Sequence, residues 1–323
     1  MLAAPASSAW LQTLAVLLTT GAVVAPREQI TRELIGHQLV IDMASPVVAV
    51  KQRQLGYRFM CAEAAWILAG DNRLSTIEPY SKTIHKFSDD GVTFFGAYGP
   101  KIQAQLEATI FALINDGSTR QAVINLWHEN PLASADLPCT LSYQFLIRRN
   151  QLHLIVTMRS NDVWLGLPYD IFSACMLASA VLLRLNDLTR RNLQLGCLYH
   201  TAGSRHLYEA NWAQAQACID DPTLDFDCIF DPCKFQCSQD LLDRLWALAR
   251  LEKHGCQQAL AKGVAPMLNL NNKIEPARPL EPYIERRPDG WYAVGNGLQV
   301  LASSQQDAQE IVDAWQAINS SAT

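Results

Sequence analysis

The sequence predicts a mixed α/β (α+β) fold, in which helices pack on a β-sheet and a small α/β extension follows at the C-terminal end. Of the 323 residues, 49% are hydrophobic and 18% are charged, which is the composition of a folded globular protein. Helix-like and strand-like segments also follow one another without the strict alternation that is typical of a parallel sheet.

Seven segments are predicted to be helices. The first two end at Gly21 and Gly70, and glycine is a common helix stop. Residues 171–185 are apolar almost all round, so we expect this helix to be buried at the centre of the domain. The predicted helices span residues 8–20, 57–69, 101–116, 171–185, 205–218, 238–261 and 305–318.

Shorter apolar segments predict the strands of a buried sheet. One strand follows a turn within residues 27–43, where Leu39 and Ile41 are apolar. A hairpin is predicted over residues 290–303, because Gly295-Asn296-Gly297 is a favoured turn sequence. The other predicted strands span residues 122–127, 141–147 and 152–157.

The charge pattern argues against a nucleic-acid partner and against a membrane. The formal net charge is −5, and the arginines form short pairs such as Arg148-Arg149 rather than a basic patch. A small anion held by a few arginines fits better. Residues 10–25 are apolar, but polar residues interrupt them and no positive charge precedes them, unlike a membrane span or a secretory signal.

The cysteines indicate the compartment. There are nine, an odd number, scattered from Cys61 to Cys256, which favours free thiols in a reducing, cytoplasmic environment. The spacing of Cys228, Cys233 and Cys237 lacks the paired pattern of a zinc site, so no metal is predicted.

Two polar clusters are candidates for chemistry. Cys139 precedes a predicted strand, where a thiol is either a small core residue or, beside a cation, a nucleophile. Arg159 and Ser160 follow another strand and form either a phosphate clamp or part of an ordinary surface. Taken alone, these patterns leave both pairs of alternatives open.

Several short motifs occur in the order typical of one family, and the chain resembles the thymidylate synthases. The motifs are Ile35-Gly36-His37-Gln38, Glu63 with Trp66, Gly70-Asp71, Tyr98-Gly99, Pro138-Cys139, Gln144-Phe145, Arg159-Ser160-Asn161-Asp162, Leu165-Gly166-Leu167-Pro168-Tyr169-Asp170, and Gly203-Ser204-Arg205-His206-Leu207-Tyr208. The resemblance covers roughly residues 20–220. It implies a thymidylate-synthase-type catalytic domain over residues 1–224, and it leaves residues 225–323 as a helical and hairpin extension of unknown role.

The resemblance implies that Cys139 attacks C6 of a pyrimidine nucleotide, which makes C5 nucleophilic toward the cofactor 5,10-methylenetetrahydrofolate. Glu63 is expected to organise water and proton transfers, and Tyr98 and Asp170 are expected to complete the catalytic group. The implied nucleotide-binding residues are Arg27, Arg120, Arg159, Ser160, Asp170, His206 and Tyr208, and the implied folate-binding residues are Asp162, Leu165 and Gly166.

The same resemblance implies a homodimer, because Arg120 matches an arginine that reaches the phosphate site of the neighbouring subunit. Gln121 stands where the family usually has a second arginine, and Thr140 stands where a histidine usually follows the nucleophile. His206 and Tyr208 match the ribose-binding pair and fall within the predicted helix 205–218.

Asp170 departs from the thymidylate synthase pattern in an informative way. Thymidylate synthases carry an asparagine there that pairs with uracil, whereas an aspartate is the pattern of deoxycytidylate hydroxymethylases. A carboxylate accepts a hydrogen bond from the amino group of cytosine, so the sequence predicts dCMP as the substrate, with CMP as an alternative.

The stretch after Gly70 bears on the product. Thymidylate synthases usually carry tryptophans there, but this chain has residues 77–80 as Ile-Glu-Pro-Tyr and no tryptophan between Trp66 and Trp127. A looser wall would admit water activated by Glu63, so the predicted product carries a hydroxymethyl group. A methyl product, with folate as the reductant, and a catalytically inactive nucleotide-binding protein are the alternatives.

Overall fold

The computed structural model describes residues 3–127, 134, 136–264, 283–287, 290–295, 298–302 and 304–321, and beyond residue 264 it describes the side chains of Ile284 and residues 304–313. The chain forms two compact units, Met1–Asn269 and Leu270–Thr323. The helices are α1 Ala6–Thr20, α2 Tyr57–Leu68, α3 Leu74–Ile77, α4 Tyr98–Asn115, α5 Leu167–Thr189, α6 Trp212–Asp220, α7 Ser238–Arg250, α8 Lys253–Ala261 and α9 Gln305–Ser321. The strands are β1 Ala22–Val24, β2 Thr31–Asp42, β3 Val123–Asn125, β4 Thr140–Arg148, β5 Gln151–Asp162, β6 Gln194–Tyr208, β7 Tyr283–Arg287, β8 Gly290–Gly295 and β9 Leu298–Ala302.

Six of the described strands form the sheet of the first unit, in the order β1-β2-β6-β5-β4-β3. Neighbouring strands are antiparallel except β5 and β6, which run parallel and are connected through α5. Their register places residues 160–162 directly beside residues 204–206. Two motifs that lie more than forty positions apart in the sequence therefore meet at the ends of adjacent strands.

One face of this sheet is covered by helices. The N-terminal helix α1 packs against β2, and α5 packs against β5 and β6. On the covered face the side chains of the central strands are buried, among them Leu154, Val156 and Leu198. The opposite face carries half-buried side chains, such as Ile155 and Tyr199.

Helix α5 is the central helix of the first unit, which confirms the prediction for residues 171–185 and extends it at both ends. Its length and composition would also suit a membrane span, but 78% of the apolar window is buried inside the protein. A core helix of a globular domain has this character because its neighbours cover most of its surface.

The buried alternation slips by one position in three adjacent strands. On β5 the buried positions change from Met158 to Asn161, and on β6 they change from Ala202 to Arg205. On β4 Thr140 and Tyr143 are both buried, next to an irregularity in the β4–β5 register between residues 140 and 142. Such irregularities redirect side chains, and here they turn polar residues toward the covered face.

The helix predicted over residues 205–218 is wrong in its first part and confirmed from Trp212 onward. Residues 194–208 form the long strand β6 between β2 and β5, and the helix α6 begins only at Trp212. Pairing with two neighbouring strands overrides the helical appearance of this segment. The predicted helix over residues 238–261 is in fact two helices, α7 and α8.

The second unit contains a three-stranded antiparallel sheet in the order β7-β8-β9, followed by α9. The strands of the hairpin predicted over residues 290–303 correspond to β8 and β9, whereas its turn at residues 296–297 lies outside the described residues. Strand β7 was not predicted. Ala308 and Val312 of α9 are buried and pack with Ile284. The predicted functional boundary between residues 1–224 and 225–323 stays a prediction.

Candidate active site

Cys139 lies immediately before β4, where its thiol is partly exposed. Its Sγ is 3.7 Å from Nη2 of Arg159, and the same guanidinium donates to the carbonyl oxygens of Leu137 and Pro138 at 3.0 Å each. Burial raises the pKa of the Cys139 thiol, and the charges of Arg159 and Arg27 oppose this increase only in part. The thiol is therefore neutral at rest, with cations placed to stabilise its thiolate.

Two carboxyl groups interact at the site, and one of them, Asp170, also acts on the Cys139 thiol. Glu63 is on α2, and Asp170 is in the first turn of α5, which packs against α2. Burial, together with the charge of Asp170, raises the pKa of Glu63 to about 8. Burial also raises the pKa of Asp170 to about 7, although Arg205 and Asn161 counteract it. Two carboxyl groups that titrate near neutrality can exchange protons with a bound ligand.

Two tyrosines lie near the carboxyl group of Asp170. Tyr98, the first residue of α4, accepts a hydrogen bond at its Oη from the backbone N–H of Thr140, at 3.3 Å. Tyr143 was not identified from the sequence, and the irregularity in β4 turns it inward. Burial raises the pKa of Tyr98 and of Tyr143, and the charge of Asp170 adds to both shifts. Both phenols therefore keep their protons and are hydrogen-bond donors.

A buried arginine and an asparagine reach Asp170 from the sheet, and sequence reasoning also missed both. Arg205 is fully buried, and its Nη1 donates to Oδ1 of Asn161 at 2.6 Å. Nδ2 of Asn161 in turn donates to Oδ2 of Asp170 at 2.7 Å. The sequence gives no signal for the burial of Arg205, because regular alternation from Ala202 would place it on the open face of the sheet.

The predicted phosphate ligands lie in several elements. Arg27 is exposed in the turn before β2, and both Arg27 and Glu28 have left-handed backbone conformations, with φ of 53° and 63°. Ser160 is half-buried on β5. Nη1 of Arg159 has no hydrogen-bond partner among the described residues, so it is available to an anion. Arg120 is exposed just before the edge strand β3.

His206 and Tyr208 lie on β6 rather than on a helix. Both side chains are half-buried, and Leu207 between them is buried on the other face. The two rings meet edge to face with their centroids 5.3 Å apart. A strand places residues two apart on one face, which a helix does not, so the strand suits a pair that binds one ligand.

The predicted folate-facing residues form the turn between β5 and α5. Oδ1 of Asp162 accepts from the backbone N–H groups of Trp164 and Leu165 at 2.8 and 3.0 Å, which fixes this turn. Leu165 is 61% exposed although it is large and apolar. Gly166 packs so closely that a Cβ atom there would lie 3.2 Å from Oδ2 of Asp170.

A tryptophan from beyond residue 224 lies beside the stretch where the family usually has tryptophans. The ring of Trp246 on α7 is 6.2 Å from that of Tyr80, and the guanidinium of Arg58 is 6.0 Å from the Tyr80 ring. Nε of Arg58 also donates to the carbonyl oxygen of Ala249. Helix α7 therefore packs beside α2, next to the stretch that contains Tyr80.

Together, the α+β fold and this site define a protein that places a partly exposed cysteine beside an arginine, with two buried carboxyl groups of raised pKa in the same region. Within the described ranges, no group of three or more His, Cys, Asp or Glu residues is arranged to hold a metal ion. The family model for thymidylate synthase matches residues 8–227, and the chain belongs to this family. Enzymes of the family use methylenetetrahydrofolate as their one-carbon donor.

One curated relative is a deoxyuridylate hydroxymethyltransferase of Bacillus phage SP01. It is 29% identical over 223 residues, which cover 62% of this chain and 56% of the relative. The chain thus spans about half the length of this relative.

Proposed function

We propose that this protein transfers a one-carbon unit from 5,10-methylenetetrahydrofolate to C5 of dCMP. The overall reaction converts dCMP, methylenetetrahydrofolate and water into 5-hydroxymethyl-dCMP and tetrahydrofolate. The observation that carries this proposal is Asp170, a carboxyl group in the position of the family's asparagine, held near the nucleophile Cys139. An ionised carboxylate accepts from the amino group of cytosine and repels O4 of uracil.

The chain's own residues provide the covalent step. The thiolate of Cys139 adds to C6 of the base, and the electron pair that moves to C5 makes that carbon nucleophilic. Arg159 and Arg27 stabilise the thiolate, and Arg159 is also free at Nη1 to bind the nucleotide phosphate. When C5 has lost its proton, elimination of the thiolate from C6 restores the aromatic base.

The turn between β5 and α5 fits a folate. Leu165 offers an exposed apolar surface to a flat ring, and Asp162 keeps one oxygen, Oδ2, without a hydrogen-bond partner among the described residues. A carboxylate oxygen accepts from the N–H groups of a pterin ring. The bound folate would supply a carbon at the oxidation level of formaldehyde, while Glu63 delivers the water that completes the hydroxymethyl group.

A second candidate is hydroxymethylation of dUMP. Two observations favour it: the relative named above is a deoxyuridylate hydroxymethyltransferase, and burial raises the pKa of Asp170 to about 7. In its protonated form the carboxyl group donates to O4 of uracil, as the family's asparagine does.

Product analysis tests the proposal. Purified protein is incubated with methylenetetrahydrofolate and dCMP, CMP or dUMP, and the nucleotides are analysed by mass spectrometry. We expect 5-hydroxymethyl-dCMP as the main product. A methyl product would move the chain to the reductive branch, a product from dUMP alone would favour the second candidate, and a product from CMP alone would correct the sugar. No product from any of them would favour a nucleotide-binding protein without catalysis.

Substituting Glu63 is expected to slow the water-dependent step. Glu63→Gln keeps the size of the side chain but removes its proton chemistry, and we expect kcat to fall by about 10²–10⁴-fold with little change in the Kd for dCMP. Because the ionised carboxylate accumulates as pH rises through the pKa of Glu63, about 8, the ratio of wild-type to variant rates should rise over this range. The ratio cancels the pH dependence of Cys139, which both proteins share. A ratio that is constant with pH would contradict this role for Glu63.

We also propose a homodimer in which Arg120 reaches the phosphate site of the neighbouring subunit. Arg120 is exposed, and one face of the central strands carries mostly half-buried side chains, so a surface for a second copy is present. Arg120→Ala and Cys139→Ala should each be nearly inactive alone. Mixed subunits should regain activity, because one of the two sites then combines an intact Cys139 with an intact Arg120. A monomer by light scattering, or no recovery after subunit exchange, would contradict the proposal.

A further inference from the structure

Arg205 is an unusual residue for the interior of a sheet. The residue is 0% exposed, so its side chain reaches neither the solvent nor the open face of the sheet. A buried guanidinium is destabilising unless its charge is balanced and its donors are paired. Nη1 donates to Asn161, and Nη2 donates to the backbone oxygen of His200 at 3.0 Å and to that of His37 at 3.4 Å. The opposite charge comes from the carboxyl group of Asp170, to which Arg205 is connected through Asn161.

The connection between Arg205 and Asp170 has a fixed direction. A guanidinium can only donate hydrogen bonds, so the amide group of Asn161 must turn its oxygen toward Arg205 and its nitrogen toward Asp170. Oδ2 of Asp170 is then committed as an acceptor. Oδ1 of Asp170 has no hydrogen-bond partner among the described residues and remains for the base. A proton on Asp170 would therefore reside on Oδ1 and convert this atom from an acceptor into a donor.

We infer that Arg205 is a positioning residue which, through Asn161, favours the ionised form of Asp170 with Oδ1 as an acceptor and so favours cytosine over uracil. This inference rests on the proposed function, and it gives a role to Arg205 and Asn161, to which the sequence motifs assigned none. When Asp170 is ionised, Oδ1 accepts from the amino group of cytosine. When Asp170 is protonated, Oδ1 donates to O4 of uracil.

Apart from Arg205 and Asn161, the surroundings of Asp170 oppose its ionisation. Burial raises the pKa of Asp170 to about 7, the Arg205 charge and the hydrogen bond from Asn161 lower it, and Asp162 raises it. Among the described residues whose charges act on this carboxyl group, Arg205 is the cation. The other titratable groups around Asp170 are Glu63 on α2, Tyr98 on α4, Cys139 and Tyr143 at β4, and Asp162 on β5.

The histidines next to Arg205 do not take over its charge. Burial and the nearby Arg205 charge lower the pKa of His200 well below its usual range, and they also lower the pKa of His37. Both rings are therefore neutral at physiological pH. Loss of the Arg205 charge would leave the Asp170 carboxylate without a compensating cation, and its protonated form would become more populated.

The test measures the base preference of binding rather than catalysis. The Kd values for dCMP and dUMP are determined by calorimetry without folate, from about pH 6 to about pH 8.5, which brackets the titration of Asp170. Their ratio cancels the titration of the phosphate, which both nucleotides share. In the wild type we expect the preference for dCMP to increase as pH rises through about 7.

Two variants interrupt the connection at different points. Arg205→Met removes the charge but keeps an apolar stem, and Asn161→Leu removes both hydrogen bonds but keeps Arg205. In each we expect the preference for dCMP at pH 7 to fall about tenfold or more, the effect of raising the pKa of Asp170 by one unit. The pH at which the preference changes should rise accordingly. Arg205→Lys retains a positive charge and should recover part of the preference.

A purely structural role for Arg205 predicts a different result. It would weaken the binding of both nucleotides equally in the variants and leave the pH course of the ratio unchanged, which would overturn the inference. If Arg205→Met does not fold, Asn161→Leu gives the same decision. A wild type whose preference does not change with pH would also overturn it. The proposed function fails separately, when the wild type shows the expected binding preference but forms no 5-hydroxymethyl-dCMP.

Discussion

Replacing Cys139 by serine is expected to lower kcat for one-carbon transfer by about 10⁴-fold or more, because the covalent bond to C6 can no longer form efficiently. A hydroxyl group has a much higher pKa than a thiol, and Arg159 cannot compensate for this difference. Binding of dCMP should change little, since the phosphate and base contacts remain. The measurement is steady-state turnover, together with exchange of the C5 hydrogen of dCMP in deuterated water, which requires only addition at C6.

Cys197 provides a matched control for this experiment. Its thiol is also partly exposed, and burial raises its pKa as it does for Cys139, but it lies on β6 and has no role in the proposed chemistry. Cys197→Ser should retain both turnover and exchange. If Cys139→Ser retained exchange at the wild-type rate, the covalent mechanism would be wrong even if the family assignment were right.

Asp170→Asn is expected to reverse the base preference, with a loss of about 10²-fold for dCMP and a gain for dUMP, since one good base contact discriminates by about 1–3 kcal/mol. The direction follows from Asn161, whose amide nitrogen points at position 170. The oxygen of the new amide would accept from Asn161, and its nitrogen would be left to donate to O4 of uracil. The ratio of kcat/KM for the two nucleotides measures the reversal.

Asp162→Asn is the control for this substitution. It also removes one negative charge, but at the end of β5, where the Asp162 carboxylate fixes the turn before α5. It should lower the rates with both nucleotides without reversing their ratio, which can shift only toward dCMP because the Asp162 charge raises the pKa of Asp170. A ratio that shifts equally in both variants would mean that general charge, and not the contact at position 170, selects the base.

The sequence predicted the elements of the fold where packing is simple. The helix at residues 57–69 and the buried helix at residues 171–185 have strong apolar patterns that match their final environment. The strand β6 was missed because its pattern of small and polar residues, from Thr201 to His206, resembles no regular strand. Its identity depends on the partners β2 and β5, which a single-sequence pattern does not reveal.

The part of the site that could not be predicted follows from the slipped alternation. Regular alternation from Met158 and Ala202 would turn Asn161 and Arg205 away from the covered face. The irregularities in β4, β5 and β6 turn them inward instead. The residues that came from motifs, such as Cys139 and Asp170, were placed near one another by the fold, but their roles stay predictions. The contribution of Asn161 and Arg205, which contact or support Asp170, could be recognised only from the three-dimensional structure.

The carboxyl groups of Glu63 and Asp170 also affect how the stability of the folded state depends on pH. The pKa values of Glu63 and Asp170 in the folded protein, about 8 and about 7, lie above their ordinary values of 4.5 and 3.8. The folded chain therefore holds more protons than the unfolded chain between these limits, so these groups make the free energy of unfolding fall as pH rises from about 4 to about 8. The site is thus a local source of instability under the conditions in which it is ionised. A nucleotide that pairs with the ionised carboxylate would offset this cost, so the gain in thermal stability on binding dCMP should be larger at pH 8 than at pH 6.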